Sequence, residues 1–239
     1  MRGRARDASL MGVDGQASDD RARIRDMPAP RSAEGLAAKP MRWVFMWPYR
    51  VVLAGLYRAG VRPWQLTFLG LALNVWVGIL LLRGSFLAAG LLLIPAGLCD
   101  IFDGAVARLR GQASRVGAFL DSVLDRVADV VLFGCLFWAL EGQGLGLEAA
   151  LALATLVIAL GVSHVRAEAE AADVELTEGY FQRLERYVAM MIGLPVPGAL
   201  LPALAVLTVL GAVTLLQRLW SAITRVAAGA PRGRGSIVA

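Results

Sequence analysis

Apolar stretches of membrane-spanning length repeat along most of this chain. Strongly apolar runs fill residues 65–82, 85–107, 117–140 and 147–165, and a short fifth at 183–196 and a sixth at 198–219 follow. A helix needs about 20 mainly apolar residues to cross the hydrocarbon core of a bilayer. The pattern therefore predicts an all-α fold, an integral membrane bundle of six transmembrane helices. We expect the fifth span to be short, because Pro195 and Pro197 interrupt the last apolar region.

The segments outside these runs have a different character. Residues 41–60 mix Trp, Tyr and Arg with apolar positions, which is typical of an amphipathic helix lying at the membrane interface. Residues 1–40 are rich in Arg, Asp, Ala, Gly and Ser and contain no aromatic residue, so we predict a disordered cytoplasmic tail. The predicted organisation is completed by a membrane domain at 61–222 and a flexible cytoplasmic C-terminal tail at 223–239.

Composition and charge support the membrane assignment and orient it. Hydrophobic residues make up 57% of the 239 positions, and charged residues only 18%, below the soluble average of about 25%. Of the 24 Lys and Arg residues, Arg83 alone falls in a predicted outer loop. Basic residues concentrate on the cytoplasmic side of membrane proteins. We therefore predict a multi-pass protein of a bacterial cytoplasmic (inner) membrane, with both termini in the cytosol. The net charge of +5 then indicates contact with anionic lipids rather than nucleic acid.

Four aspartates lie at the predicted cytosolic boundary of the second and third spans. Asp100 and Asp103 are three residues apart, and Asp121 and Asp125 are four apart, so each pair shares one face of a helix. Carboxylates at membrane depth are costly and usually mark a functional site. Two facing pairs would form an oxygen-rich cage that suits Mg2+ or Mn2+. We predict one of these metals as cofactor, with two ions at the site.

The neighbours of the aspartates favour a phosphate-bearing substrate. Gly104 and Ala107 are small and allow close approach, and the guanidinium of Arg108 can bind a phosphate through two nitrogens. Two other classes are compatible with intramembrane carboxylates, a transporter and a catalytically silent membrane scaffold. The chain has no evident internal repeat, and its aspartates cluster on one side rather than along a path, which favours an enzyme over a transporter.

The spacing of the whole segment resembles that of a known enzyme family. The pattern is Asp100-x2-Asp103-Gly104-x2-Ala107-Arg108-x8-Gly117-x3-Asp121-x3-Asp125, and it resembles the CDP-alcohol phosphotransferases (phosphatidyltransferases). The resemblance covers roughly residues 60–220. It implies a six-helix membrane enzyme, usually homodimeric. Such an enzyme transfers a phosphatidyl-type group from CDP-diacylglycerol or a related CDP-lipid to a small alcohol and releases CMP, in phospholipid biosynthesis.

The resemblance also implies roles for individual residues. The metal ligands would be Asp100, Asp103, Asp121 and Asp125, and Asp125 would also be the general base that accepts the proton of the attacking hydroxyl. The CDP-lipid would contact six positions: Gly104, Ala107, Arg108 and Gly117, together with Pro63 and Thr67 of the similar segment Pro63-x3-Thr67.

The acceptor is predicted from three arginines. Arg166, Arg183 and Arg186 lie in a segment similar to the one that binds the acceptor's phosphate in inositol-phosphate-accepting members of the family. We therefore predict a phosphorylated acceptor, with inositol phosphate first. Glu168 stands where those members have a second basic residue, so glycerol 3-phosphate is kept as the alternative acceptor.

Overall fold

The computed structural model describes residues 38–174 and 183–228, and these residues form seven helices and no strand. The helices, in chain order, are α1 (Ala38–Arg58), α2 (Pro63–Leu82), α3 (Phe86–Leu109), α4 (Arg115–Glu141), α5 (Gly146–Ala171), α6 (Arg183–Gly193) and α7 (Leu200–Ala227). The all-α prediction is confirmed. The tail predicted for 1–40 lies almost entirely outside the described residues. The C-terminal tail predicted from residue 223 begins within α7, which continues to Ala227, and the rest lies outside the described residues.

Four of the helices are long and apolar enough to cross a membrane: α2, α3, α5 and α7. Helix α4 has 27 residues but carries Asp121, Asp125 and Arg126 in its first half. Helix α6 has 11 residues and so spans roughly 16 Å, about half of a hydrocarbon core of about 30 Å. The protein is therefore an all-helical membrane protein, and the six crossings stay a prediction.

Helix α2 packs against both helices that carry the four aspartates. Helix α2 contacts both α3 and α4, α4 contacts α5, α5 contacts α7, and the short α6 lies against α3 and α7. The main core is apolar, and its largest fully buried side chains include Leu93, Phe133, Leu136, Met190 and Leu204. This core fixes the positions of α3, α4 and α6, which carry the charged residues discussed below.

Helix α1 is docked on the end of α3. Leu53 and Ala54 are buried against Phe102 and Val106, and the ring of Tyr49 stacks on Phe102 with centroids 5.2 Å apart. Burial raises the pKa of the Tyr49 hydroxyl, and the nearby positive charge of Arg108 opposes that rise. The amphipathic helix predicted for 41–60 is thus helical and covers the part of α3 that surrounds the aspartates.

Two glycines shape the connections near the site. Gly111 has φ +61°, a left-handed conformation that glycine adopts without strain, and it ends the α3 segment so that the chain can turn into α4. At Gly90 an added Cβ would lie only 2.6 Å from Cδ of Pro195, so α3 and the chain after α6 approach closely there. The first lets α4 follow α3 after a short turn, and the second brings the end of α6 against α3.

Candidate active site

Three of the predicted metal ligands come together in the structure. Asp100 and Asp103 project from α3 and Asp121 from α4, and one carboxylate oxygen of each lies within 4.8 Å of the others. Carboxylate oxygens are hard ligands of the kind that Mg2+ and Mn2+ prefer. The donor set and its spacing therefore fit a divalent cation.

Asp125 lies beside this group and is bound to an arginine. Nη1 of Arg183 donates to Oδ1 of Asp100 at 2.7 Å and also to Oδ1 of Asp125. The Arg183 side chain is 19% exposed, whereas those of Asp100 and Asp125 are 38% and 31% exposed. One cation from α6 is thus shared by carboxylates of α3 and α4, and the group is open on one side.

A small cavity connects these residues. It encloses about 20 Å³ and is lined by all four aspartates, by Arg183 and by a face of α2 that includes Thr67, Gly70 and Asn74. That volume suits an ion or a single water molecule and is far too small for a nucleotide. A large substrate must therefore meet the carboxylates from their exposed side.

Asp103 is the most firmly held of the four carboxylates. It is 6% exposed, and its Oδ1 accepts from the backbone nitrogen of Gly104 at 2.5 Å. The hydroxyl of Thr67 lies 2.8 Å from its Oδ2 and 3.2 Å from the carbonyl oxygen of Pro63. Since a hydroxyl has one proton, the shorter contact indicates that Thr67 donates to Asp103. Thr67, predicted as a CDP-lipid contact, thus orients a carboxylate in this structure.

Of the other predicted CDP-lipid positions, Pro63 begins α2, and the remaining four lie on α3 and α4 near the turn between them. A Cβ added to Gly104 would lie 3.4 Å from Nη1 of Arg108, so the guanidinium is next to the space that this glycine leaves open. Ala107 lies beside Arg108 in the last turns of α3. Gly117 is exposed near the start of α4, where its backbone nitrogen donates to Oγ of the N-cap residue Ser114 at 3.0 Å.

The three arginines predicted for an acceptor phosphate have three different surroundings. Arg183 lines the cavity. Arg186 is 8% exposed, and its Nη2 donates to Oδ2 of Asp129 at 2.6 Å. Arg166 is on the surface of α5 and pairs with Glu170 at 2.8 Å. Although Arg183 and Arg186 are one helical turn apart, they bind different carboxylates.

Two buried polar residues next to Arg183 were not predicted. The hydroxyl of Tyr187 donates to Oδ1 of Asn74 at 2.7 Å, and Nη2 of Arg183 lies 3.3 Å from the same hydroxyl. The signal for Asn74 was present in the chain, because a side-chain amide in the middle of an apolar span is costly unless it is paired. Its partner lies 113 residues away and could not be identified from spacing.

The sequence matches a known family of enzymes. Residues 61–228 match the model of the CDP-alcohol phosphatidyltransferase family. The phosphatidylinositol phosphate synthase of Mycobacteroides abscessus is 34% identical over 177 residues, which cover 70% of this chain and 79% of that protein.

Two solved structures share the fold. The chain matches the crystal structure of Mycobacterium tuberculosis phosphatidylinositol phosphate synthase with CDP-DAG bound, with TM-score 0.64, 32% identity and coverage of 72% of this chain and 92% of that chain. It also matches the structure of the same synthase in complex with manganese and citrate, with TM-score 0.64, 30% identity and coverage of 72% and 88%. This chain belongs to the CDP-alcohol phosphatidyltransferase family and is an enzyme of that class.

Proposed function

We propose that this protein transfers the phosphatidyl group of CDP-diacylglycerol to a hydroxyl of inositol phosphate and releases CMP, in phospholipid biosynthesis. One observation carries the proposal. Carboxylates of Asp100, Asp103 and Asp121 converge within 4.8 Å, with Asp125 and Arg183 beside them, in a chain whose relatives are phosphatidylinositol phosphate synthases. This arrangement combines sites for a metal, a base and a phosphate.

The reaction is a single displacement at phosphorus. The acceptor hydroxyl oxygen bonds to the phosphorus that carries the diacylglycerol, and the bond between that phosphorus and the oxygen of CMP breaks. The hydroxyl proton passes to Asp125, and CMP leaves with the bonding electrons. No covalent enzyme intermediate is required. Because Oδ1 of Asp125 is bound by Arg183, the carboxylate is oriented before substrate arrives.

The metal would be Mg2+ or Mn2+, held by Asp100, Asp103 and Asp121. With Asp125 as a further ligand, we propose two ions. Held by these residues, the ions would stabilise the negative charge of the phosphate groups during transfer. Thr67 supports this role, because it holds Asp103 in a fixed orientation.

The two substrates would meet the site at different arginines. The guanidinium of Arg108 would contact the pyrophosphate of the donor, which would approach the backbone at Gly104 and Gly117. Arg183 would bind the phosphate of the acceptor, because it is the arginine that lines the cavity next to Asp125. Arg166 stays a proposed contact at the rim. For Arg186 the pairing with Asp129 favours a role in holding α6 in place.

We also propose six crossings, with α4 and α6 completing the four apolar spans, and a site that faces the cytosol of a bacterial cell. The concentration of arginines supports this, since Arg83 alone would be outside. Cysteine labelling tests it in a variant without Cys99 and Cys135: Arg83→Cys should react with an impermeant reagent from outside and Ala113→Cys only from inside. The homodimer implied by the family resemblance is tested by cross-linking in the membrane.

The function is tested by CMP release from purified protein in detergent or lipid. The donor is CDP-diacylglycerol with Mg2+ or Mn2+, and the acceptors are inositol 1-phosphate, inositol, glycerol 3-phosphate and serine. We expect metal-dependent release with inositol 1-phosphate. Release with glycerol 3-phosphate alone would support the proposed reaction and identify glycerol 3-phosphate as the acceptor. Folded protein that releases no CMP with any acceptor would refute the proposal and favour a silent scaffold.

A further inference from the structure

A chain of buried hydrogen bonds leads from α2 to the charged group. Asn74 and Tyr187 are 3% and 4% exposed. Nδ2 of Asn74 donates to the carbonyl oxygen of Gly70 at 2.9 Å, Oδ1 of Asn74 is 2.7 Å from the Tyr187 hydroxyl, and that hydroxyl is 3.3 Å from Nη2 of Arg183. Both side chains would be expensive to bury without these partners.

The direction of every bond in this chain is determined. A carbonyl can only accept, so the amide nitrogen of Asn74 faces Gly70 and its oxygen faces Tyr187. The single proton of the Tyr187 hydroxyl is therefore given to Asn74. The hydroxyl oxygen then accepts from Nη2 of Arg183, which leaves Nη1 to donate to Asp100 and Asp125.

The ring of Tyr187 adds a second constraint on the same arginine. The central carbon of the Arg183 guanidinium lies 4.9 Å from the ring centroid, within the range of a cation–π contact. Tyr187 is four residues after Arg183, so both side chains share one face of α6. Asn74 is seven residues after Thr67, so one face of α2 holds Asp103 at one end and, through Tyr187, Arg183 at the other.

We propose that Tyr187 and Asn74 are positioning residues that fix the guanidinium of Arg183 for the phosphate of the acceptor. This inference rests on the proposed function, in which Arg183 binds that phosphate. Arginine has four side-chain torsions, and an arginine that must find its orientation after the acceptor arrives binds more weakly than one that is already oriented. Neither Tyr187 nor Asn74 touches the reacting atoms. Their effect is therefore expected on acceptor binding rather than on the donor.

The test uses Tyr187→Phe, which keeps the ring and removes the hydroxyl. We expect the KM for inositol 1-phosphate to rise up to about tenfold, because the guanidinium must then be ordered when the acceptor binds. The KM for CDP-diacylglycerol should change less than about twofold, because the donor is proposed to bind at Arg108. Thr155→Val is the matched control, since it removes a buried hydroxyl that bonds Thr208 between α5 and α7, away from the site. It should leave both KM values unchanged.

A double variant separates positioning from stability. Asn74→Leu with Tyr187→Phe replaces both partners of the Asn74–Tyr187 bond by apolar groups, which often costs little stability. We expect its Tm to return toward that of the wild-type protein while the KM for inositol 1-phosphate stays raised. Recovery of that KM together with Tm would mean that Tyr187 is structural only and would overturn the proposal.

A second readout does not depend on the acceptor. Phenylglyoxal modification of Arg183, followed site by site by mass spectrometry with exposed Arg166 as reference, should be at least about threefold faster in Tyr187→Phe, because the guanidinium is released from one partner. An unchanged rate would refute the positioning role. If the wild-type protein does not use inositol 1-phosphate but the Arg183 rate still rises in the variant, the proposed acceptor fails and the positioning role stands.

Discussion

Two ion-paired groups lie one helical turn apart on α4 and α6, and they differ in the number of carboxylates per arginine and in burial. Arg186 and Asp129 pair one to one, and their side chains are 9% and 4% exposed. Arg183 is shared by Asp100 and Asp125, whose side chains are 38% and 31% exposed. The first group is sealed inside the bundle and the second opens to one side.

The difference indicates different roles for the same residue types. A sealed pair is out of reach of a ligand, and removal of one partner leaves a buried charge without compensation. Around the cavity, four carboxylates face one arginine, so negative charge is in excess. Such a group attracts a cation, and its exposure lets a substrate reach it. We therefore propose that the sealed pair contributes to stability and the open group to catalysis.

The largest effect is expected from Asp125→Asn in the open group. The amide cannot accept the hydroxyl proton, so the kcat of CMP release should fall by about a thousandfold or more. Tm and binding of CDP-diacylglycerol should change little, because Asp125 is partly exposed and the three-carboxylate group is intact. A variant with normal turnover would remove Asp125 from the role of base.

Arg186→Ala, in the sealed pair, should lower stability more than any other substitution proposed. Leaving Asp129 buried without its partner is expected to cost about 3–5 kcal/mol in the free energy of unfolding, measured by denaturant titration in detergent. The double variant Arg186→Met with Asp129→Leu should recover most of that loss, since apolar residues of similar size often replace a buried pair well. A double variant as unstable as the single one would show that Arg186 stabilises the protein through contacts other than Asp129.

Arg183→Lys keeps the charge in the open group but loses the planar guanidinium. A lysine cannot contact Tyr187 and two carboxylates through separate nitrogens, so we expect the KM for inositol 1-phosphate to rise by about tenfold. Stability should be nearly unchanged. Equal increases in the KM values of donor and acceptor would contradict the assignment of Arg183 to the acceptor.

Arg166→Ala should have the smallest effect of the four. Its side chain is 58% exposed and pairs with an exposed glutamate, and such surface pairs contribute little. We expect less than about a twofold change in kcat and in the KM for CDP-diacylglycerol, read in the same CMP assay, with any effect confined to the KM for the acceptor. A tenfold rise in that KM would show that Arg166 contributes more to acceptor binding than a contact at the rim.

The sequence predicted the parts of this site that depend on short spacing. Pairs three and four residues apart on α3 and α4 share a face of a helix whatever the rest of the fold does, and three of these four aspartates do converge. The position of Arg183 could not be predicted in the same way. It reaches Asp100 across 83 residues, and this contact depends on how the short α6 packs against α3.

Local spacing was also insufficient to predict the partner of Arg186 and the lengths of the membrane spans. Spacing alone suggested that Arg183 and Arg186 act together, but Asp129 on a neighbouring helix binds one of them. Hydropathy placed a span at 117–140 and a short one at 183–196, whereas the four long apolar helices are α2, α3, α5 and α7, and α6 ends at Gly193. The close approach of Gly90 to Pro195 forms just beyond α6. These outcomes depend on how the helices pack against one another, and the spacing of residues within one helix does not determine that packing.

Metal-dependent transfer at the four carboxylates is tested most directly by measuring both products of the reaction. CMP and the lipid product are quantified together, with purified protein, CDP-diacylglycerol and inositol 1-phosphate, before and after removal of divalent metal and after its return. We expect equal amounts of CMP and phosphatidylinositol phosphate, no product without metal, and recovery with Mg2+ or Mn2+. Product formation that persists without divalent metal, or CMP release without a lipid product, would contradict metal-dependent transfer.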